Sequence, residues 1–268
     1  MHADLLDAKS EGRLFGILNG CEYTDYPKSR IEGWPELVSE MQQQQLAWMG
    51  ASPLSHSAHI IAQHRLNALT ATRPDFLLTS VGRITHQKIG LMLQPVGTGQ
   101  PALEAILDRL GDSGVFIMLG SGEPESENAL TRIAGRYANF IYLQGYSEAI
   151  GDALYALGDL FFMPSAFEPC GISQMLAMRA GQPCLVHHIG GLRDTVADGK
   201  TGFTFTGDQP THRAENLLAA FQRALNLKQN NPSAWSALRK SAKAQRFLWA
   251  DTVKAYLEHL YRYTETIN

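Results

Sequence analysis

From residue 76 onward the sequence alternates short, nearly unbroken apolar runs with longer amphipathic stretches, and few folds accommodate that rhythm. The apolar runs are Phe76 to Gly82, Val115 to Leu119, Phe140 to Leu143, Leu160 to Met163 and Pro183 to His187. Between and after them lie helix-like stretches at Ala102 to Leu110, Glu125 to Tyr137, Glu148 to Leu157, Ile172 to Ala180 and Gly191 to Ala197. A strand that lacks polar alternation is buried on both faces, and strand–helix–strand order makes such strands parallel, with helices covering the sheet. The expected fold is therefore α/β, a Rossmann-like, doubly wound parallel sheet. No internal repeat of solenoid or propeller length interrupts it.

The flanks differ. Residues 1 to 75 read as a lead-in with one strand-like run at Phe15 to Leu18 and two helices, around Pro35 to Met49 and Ala58 to Leu69. Four successive glutamines, Gln42 to Gln45, sit in the first of these helices and are read as its solvated face. Residues 211 to 268 are nearly all helix-forming, with a break at Pro232. Phe247, Trp249, Tyr256, Leu260 and Tyr261 recur there near helical spacing and are expected to pack into the core. The stretch Val96 to Pro101, with two glycines and a proline, reads as a loop. The whole, residues 1 to 268, is expected to be one domain: lead-in, a Rossmann-like core over 76 to 210, and closing helices.

Charge narrows the partners. Lys and Arg total 23 against 26 Asp and Glu, a net charge of −3, so nothing draws the chain as a whole to nucleic acid or to an acidic membrane. No stretch approaches the roughly 18 apolar residues of a membrane helix, and no signal peptide is visible at the start. Cys21, Cys170 and Cys184 form neither a CxxC pair nor an even disulfide set, which suits a reducing, cytoplasmic setting. The opening helix-like residues pass straight into a strand-like run, which reads as an internal segment of a longer protein.

Ligands of open α/β sheets bind at the carboxyl ends of the strands. Arg83 and Lys88 follow the first such strand and put two cations where a diphosphate would sit. Gly120, Ser121 and Gly122 form a turn at the next strand end that lets backbone approach a ligand, and Gly145 and Tyr146 end the strand after that, where a ring can stack on a base. Glu168 lies in the loop after Leu160 to Met163. The backbone N–H groups of Gly171, Ile172 and Ser173 open the following helix, whose N-terminus receives a phosphate. Each has a plainer use: Glu168 as a helix cap, Arg83 and Lys88 as solvated charges, Tyr146 as core. His187 and His188 are strand neighbours that point to opposite faces and cannot easily share a metal ion, and the chain has no DxD motif.

The run MPSAFEPCGISQ, residues 163 to 174, resembles the MPSRFEPCGLTQ signature of bacterial glycogen synthases and plant starch synthases. Gly190, Gly191, Leu192, Asp194, Thr195 and Val196 are similar to the GGLxDTV that follows it in that family. GILNG at 16 to 20, GRITHQK at 82 to 88, LGSGEP at 119 to 124, GYSEA at 145 to 149 and FLWADTVKAYLEHLY at 247 to 261 extend the likeness in family order. The resemblance implies the C-terminal, nucleotide-sugar-binding half of a GT-B glycosyltransferase without the N-terminal acceptor domain. It implies ADP-glucose as donor, transfer of glucose with retained configuration to the non-reducing end of an α-1,4-glucan, and no metal or other cofactor. Arg83 and Lys88 then hold the donor phosphates and, with Glu168 on the sugar hydroxyls, form the catalytic set. Gly120, Ser121, Gly122, Gly145, Tyr146 and the loop Cys170, Gly171, Ile172 and Ser173 bind the rest of the donor, Tyr146 beside the adenine. The α-glucan acceptor would meet the missing domain, so this chain alone is expected not to elongate glucan.

Departures from the family pattern cluster at the pocket. His187 and His188 replace two arginines, Ile89 a glycine and Asp152 a histidine. Leu176 stands where many wider GT-B transferases carry a second glutamate, as it does in glycogen synthases. Two other readings stay open: a GT-B transferase of different donor or acceptor, and a nucleotide-binding module without catalysis.

Overall fold

The computed structural model describes residues 3–23, 31–51, 56–97 and 99–261. The chain divides into two compact units, Pro27–Gln245 and the terminal segments Met1–Tyr26 with Arg246–Asn268. The helices, in chain order, are α1 (Ala3–Ser10), α2 (Trp34–Ala51), α3 (Ser57–Ala68), α4 (His86–Ile89), α5 (Ala102–Leu110), α6 (Pro124–Arg136), α7 (Glu148–Leu157), α8 (Ser173–Ala180), α9 (Gly190–Thr195), α10 (Pro210–Asn230), α11 (Pro232–Ala244) and α12 (Trp249–His259). The strands are β1 (Phe76–Val81), β2 (Pro95–Val96), β3 (Gln100–Pro101), β4 (Gly114–Gly120), β5 (Phe140–Gln144), β6 (Leu160–Met163), β7 (Cys184–His187) and β8 (Gly202–Phe205). Among the described residues no helix is long and apolar enough to cross a membrane.

The larger unit is built on a six-stranded sheet of order β5-β4-β1-β6-β7-β8, parallel at every pairing. Counting only these strands in chain order, the order is 3-2-1-4-5-6, the Rossmann arrangement, whose direction of growth reverses between β1 and β6. Side chains alternate between the two faces of a strand. Phe76 and Leu78 of β1, Phe116 and Met118 of β4, and Phe140 and Tyr142 of β5 accordingly share one core with apolar residues of α5, α6, α10 and α11. Leu77, Ile117, Leu119, Ile141 and Leu143 enter a second core with α2, α3 and α7. The doubly covered sheet expected from the apolar runs is therefore present.

Helix boundaries follow local chemistry. Pro232 opens α11, and the Asn231 side chain caps it by accepting from the Ala234 N–H at 3.1 Å. In α5 the buried residues Ala102, Leu103, Ile106, Leu107 and Leu110 form one stripe at helical spacing.

Four sequence expectations are corrected, and one strand, β8, is added. Gln45 is fully buried and donates to the His59 main-chain oxygen, with its amide 2.6 Å from His59 Nδ1. Each helical residue turns the chain by about 100°, so four successive glutamines sweep the whole circumference and cannot share a solvated face. The Val96 to Pro101 loop closes as a small antiparallel ladder, Pro95 against Pro101 and Val96 against Gln100. β8 carries no signal that sequence reading used, because its four residues follow a turn and precede a long helix. In the terminal unit, Phe15 to Leu18 is not a strand. It is held instead by Thr252 Oγ1 donating to the Leu18 oxygen at 2.9 Å and by Phe15 stacking on His259 at 4.6 Å. Nor do the aromatics near the end form a core: Trp249, Tyr256, Leu260 and Tyr261 are exposed, Tyr261 to 73%. Two short segments supply too little volume to enclose them.

At the amino ends of the strands, away from the motif loops, Asp159 is 3% exposed and holds several elements together. It accepts from the Leu77 N–H and from Arg73, both at 2.8 Å, and pairs with Lys228 at 2.6 Å and Arg239 at 3.8 Å. One carboxylate thus ties β6 to β1, α10 and α11. Asp159→Ala is expected to lower unfolding free energy by about 3 kcal/mol, the lower end for breaking a buried ion pair because Arg73 and Arg239 are partly solvated. Urea denaturation checks this, and a loss below about 1 kcal/mol would show the network to be dispensable.

Candidate donor site

Two adjoining cavities open at the carboxyl edge of the sheet. One, about 380 Å³, is lined by the ends of β1, β4 and β5 and by α7, including Arg83, Gly120, Ser121, Gly145, Tyr146, Asp152, Tyr155, Ser173 and Leu176. The other, about 240 Å³, lies across the ends of β1 and β6, where strand order reverses, and includes Arg83, Lys88, Met163, Ser165 and Ser173. Val81, Gly82, Arg83 and Ser173 belong to both, so the cavities meet at a cation and a helix start.

Lys88 and Glu168 form an ion pair through Lys88 Nζ and Glu168 Oε2. Both side chains are largely shielded, 20% and 9% exposed, so their attraction is less screened than at an open surface. Arg83 is exposed and has no ion-pair partner among the described residues. The loop that carries Glu168 is held from below. Gln174 donates to the Cys170 and Gly171 oxygens at 3.1 and 3.0 Å and to Thr195 Oγ1 at 3.2 Å. From the side, the Gly191 N–H lies 3.0 Å from the Glu168 oxygen and 3.2 Å from that of Pro169. A Cβ on Gly191 would collide with the Cys170 backbone, which is the physical reason a glycine pair opens α9.

Gly171 has φ of +74°, a left-handed conformation that favours glycine. It turns the chain into α8, whose N-cap, Ile172, supplies no side-chain hydrogen bond. The first-turn N–H groups of α8 therefore have no side-chain cap, and they carry the partial positive end of the helix.

Seven of the residues read from the sequence line the cavities: Arg83, Lys88, Gly120, Ser121, Gly145, Tyr146 and Ser173. Tyr146 stands at the rim, 79% exposed. Glu168 joins them through Lys88. Gly122, Cys170, Gly171 and Ile172 line neither cavity. Gly122 instead bridges to Ile84 and donates its N–H to Glu127 Oε1 at 2.7 Å.

Sequence reading missed Glu127. Its carboxylate accepts from Gly122 on one side and from Gln144 Nε2, at 2.7 Å, on the other, tying together the loops after β4 and β5. Its signal was an acidic residue in the first turn of α6, too common to stand out. Tyr155 was also unread; burial, with the Asp152 carboxylate adding to it against the Ser173 hydrogen bond, pushes its hydroxyl up to about 12. His187 is buried, stacks on Phe205 at 5.2 Å and contacts the Ser165 oxygen through Nδ1 at 3.0 Å, while His188 is exposed. Burial holds the His187 imidazole below its usual range, so it is neutral near pH 7. Among the described residues no three His, Cys, Asp or Glu side chains are grouped to hold a metal ion.

Known proteins resemble this chain in sequence and in fold. Residues 100–223 match the family model described as glycosyl transferases group 1. Glycogen synthase 2 of Nitrosococcus oceani is 34% identical over 92% of this chain and 47% of its own length. The glycogen synthase of Actinobacillus pleuropneumoniae serotype 5b is 31% identical over 96% of this chain and 51% of its own. This chain thus spans about half the length of the curated relatives it matches. The catalytic domain of starch synthase IV from Arabidopsis thaliana, solved bound to ADP and acarbose, superposes with a TM-score of 0.62 at 27% identity, over 77% of this chain and 42% of that one. WaaG, a glycosyltransferase involved in lipopolysaccharide biosynthesis, shares the fold with a TM-score of 0.53 at 22% identity, over 77% of this chain and 52% of its own. The fold is the Rossmann-like α/β architecture of GT-B glycosyltransferases, and residues 100–223 carry a glycosyl transferases group 1 domain, with glycogen synthases among the chain's relatives.

Proposed function

We propose that this chain binds the nucleotide-sugar donor of a glycogen-synthase-type enzyme. The donor is ADP-glucose, and the longer protein transfers its glucose, with retained anomeric configuration, to the non-reducing end of an α-1,4-glucan held by a second domain. The observation that carries this reading is the pair of cavities joined at Arg83 and Ser173, with Lys88 and Glu168 paired beside the junction. A nucleoside diphosphate sugar has a matching covalent order. Its nucleoside fits the larger cavity with Tyr146 at the rim, its diphosphate the junction, and its sugar the side of Glu168.

In this reading Arg83, Lys88 and the start of α8 take up the negative charge that grows on the diphosphate as the bond to the sugar breaks. Fixed groups of this kind contribute about 2.7–4 kcal/mol each by analogy with single oxyanion donors. The Lys88–Glu168 pair has a further use. Before the donor arrives it keeps two partly buried charges compensated. When the donor arrives, Lys88 is drawn to the phosphate and the Glu168 carboxylate is released to accept hydrogen bonds from sugar hydroxyls. The chain by itself, on this account, binds the donor without elongating glucan.

Isothermal titration of the chain with ADP is expected to show binding that Arg83→Ala and Lys88→Ala each weaken by about tenfold or more, the scale of a lost charge-assisted hydrogen bond. Affinity for ADP unchanged by both substitutions would sink the donor-site assignment, and preference for UDP would sink the choice of base. Glu168→Ala separates the two roles: ADP binding holds or tightens because Lys88 is freed, while ADP-glucose loses any advantage over ADP. Equal weakening of both ligands would show that Glu168 serves the loop and not the sugar.

A further inference from the structure

The larger cavity contains a carboxylate that the donor reading leaves unused. Asp152 is half-buried and makes no hydrogen bond or ion pair among the described residues. Glu148, Asp152 and Tyr155 stand at i, i+4 and i+7 of α7, which puts them on one helix face, and all three line the cavity. The row covers about 10 Å along the helix axis. It starts beside Tyr146 at the rim and ends at Tyr155, which lines the same cavity as Ser173 at the junction. Asp152 is in the middle of that row. Leu176, from α8, lines the same cavity and contributes no polar group, and both carboxylates of the lining, Glu148 and Asp152, come from α7.

What a carboxylate here can bind follows from its chemistry. An ionised carboxylate only accepts hydrogen bonds, and in a partly desolvated cavity it needs donors. It repels phosphate, and the phosphate-binding cations Arg83 and Lys88 lie at the junction and beyond. In a nucleoside diphosphate the group between base and diphosphate is the ribose, which offers two adjacent hydroxyl donors.

We infer that Asp152, with Glu148 beside it, accepts hydrogen bonds from the 2′- and 3′-hydroxyls of the donor ribose and so selects ribonucleoside over deoxyribonucleoside diphosphates. The inference rests on the donor-site reading and adds a specificity residue to it. It also gives a use to the aspartate that stands where the resembling family has histidine.

The test is titration of the chain with ADP, 2′-deoxy-ADP and inosine diphosphate, on the unsubstituted protein and on Asp152→Ala, Asp152→Asn and Glu148→Ala. The unsubstituted protein is expected to bind ADP about ten- to a hundredfold more tightly than 2′-deoxy-ADP, the scale of a hydrogen bond to a charged acceptor. Asp152→Ala brings that ratio close to one while leaving the ratio of ADP to inosine diphosphate unchanged. Asp152→Asn, which keeps the shape and one acceptor oxygen, lowers the ratio partway and covers the case in which the alanine variant does not fold. An undiminished preference for ADP over 2′-deoxy-ADP in both Asp152 variants overturns the inference. A change confined to the ADP to inosine diphosphate ratio also overturns it, by assigning Asp152 to the base. Binding of ADP that survives these failures leaves the donor site standing, whereas no binding of any nucleotide by the unsubstituted protein overturns both.

Discussion

A parallel sheet buried on both faces forces each connection to cross over a layer of helix and re-enter at the same end, so all the strands finish along one edge. In this protein that edge gathers the loops after β1, β4, β5 and β6, far apart in sequence, around two joined cavities. The reversal of strand order between β1 and β6 opens the crevice, because the loops on either side leave the sheet in opposite directions. The opposite edge is closed by charge: Asp159 gathers Arg73, Lys228 and Arg239 at the strand starts. One edge is thus compensated internally, and the other leaves Arg83 without an ion-pair partner among the described residues.

Charge is sorted along the open edge. The carboxylates Glu148 and Asp152 face the larger cavity, Arg83 stands at the junction, and Lys88 lies in the smaller cavity. Of the cations, Lys88 is neutralised by Glu168 and Arg83 is left to solvent. The arrangement avoids an uncompensated buried charge, which is costly, and still presents both signs to an incoming molecule. Donors from the backbone complete it at the start of α8.

Precision in the Glu168 loop comes from backbone packing. Gln174 fixes its underside through two carbonyls, Gly191 reaches the Glu168 and Pro169 oxygens, and Glu127 joins the two neighbouring loops. None of these groups needs to touch a ligand to matter: rigid support of the contacting groups reduces what binding must spend on ordering them.

The sequence by itself determined the fold class and most of the edge. Unbroken apolar runs identify strands buried on both faces, and a ligand edge follows from parallel order, so Arg83, Lys88, Gly120, Ser121, Gly145, Tyr146 and Ser173 were legible from their positions after strands. Local rules failed where a residue's partner is remote. Gln45 was misread because its environment depends on His59 across a helix pair, and β8 because four residues carry little periodicity. The exposed aromatics of α12 have helical spacing, but spacing cannot reveal whether anything is available to cover them. Only the tertiary structure decided that Lys88 and Glu168, eighty residues apart, are a pair, that Glu127 ties two loops and that Asp152 faces the larger cavity. The physical reason is range: periodicity and capping act over a few residues, whereas charge pairing and cavity walls join residues brought together only when the sheet has formed.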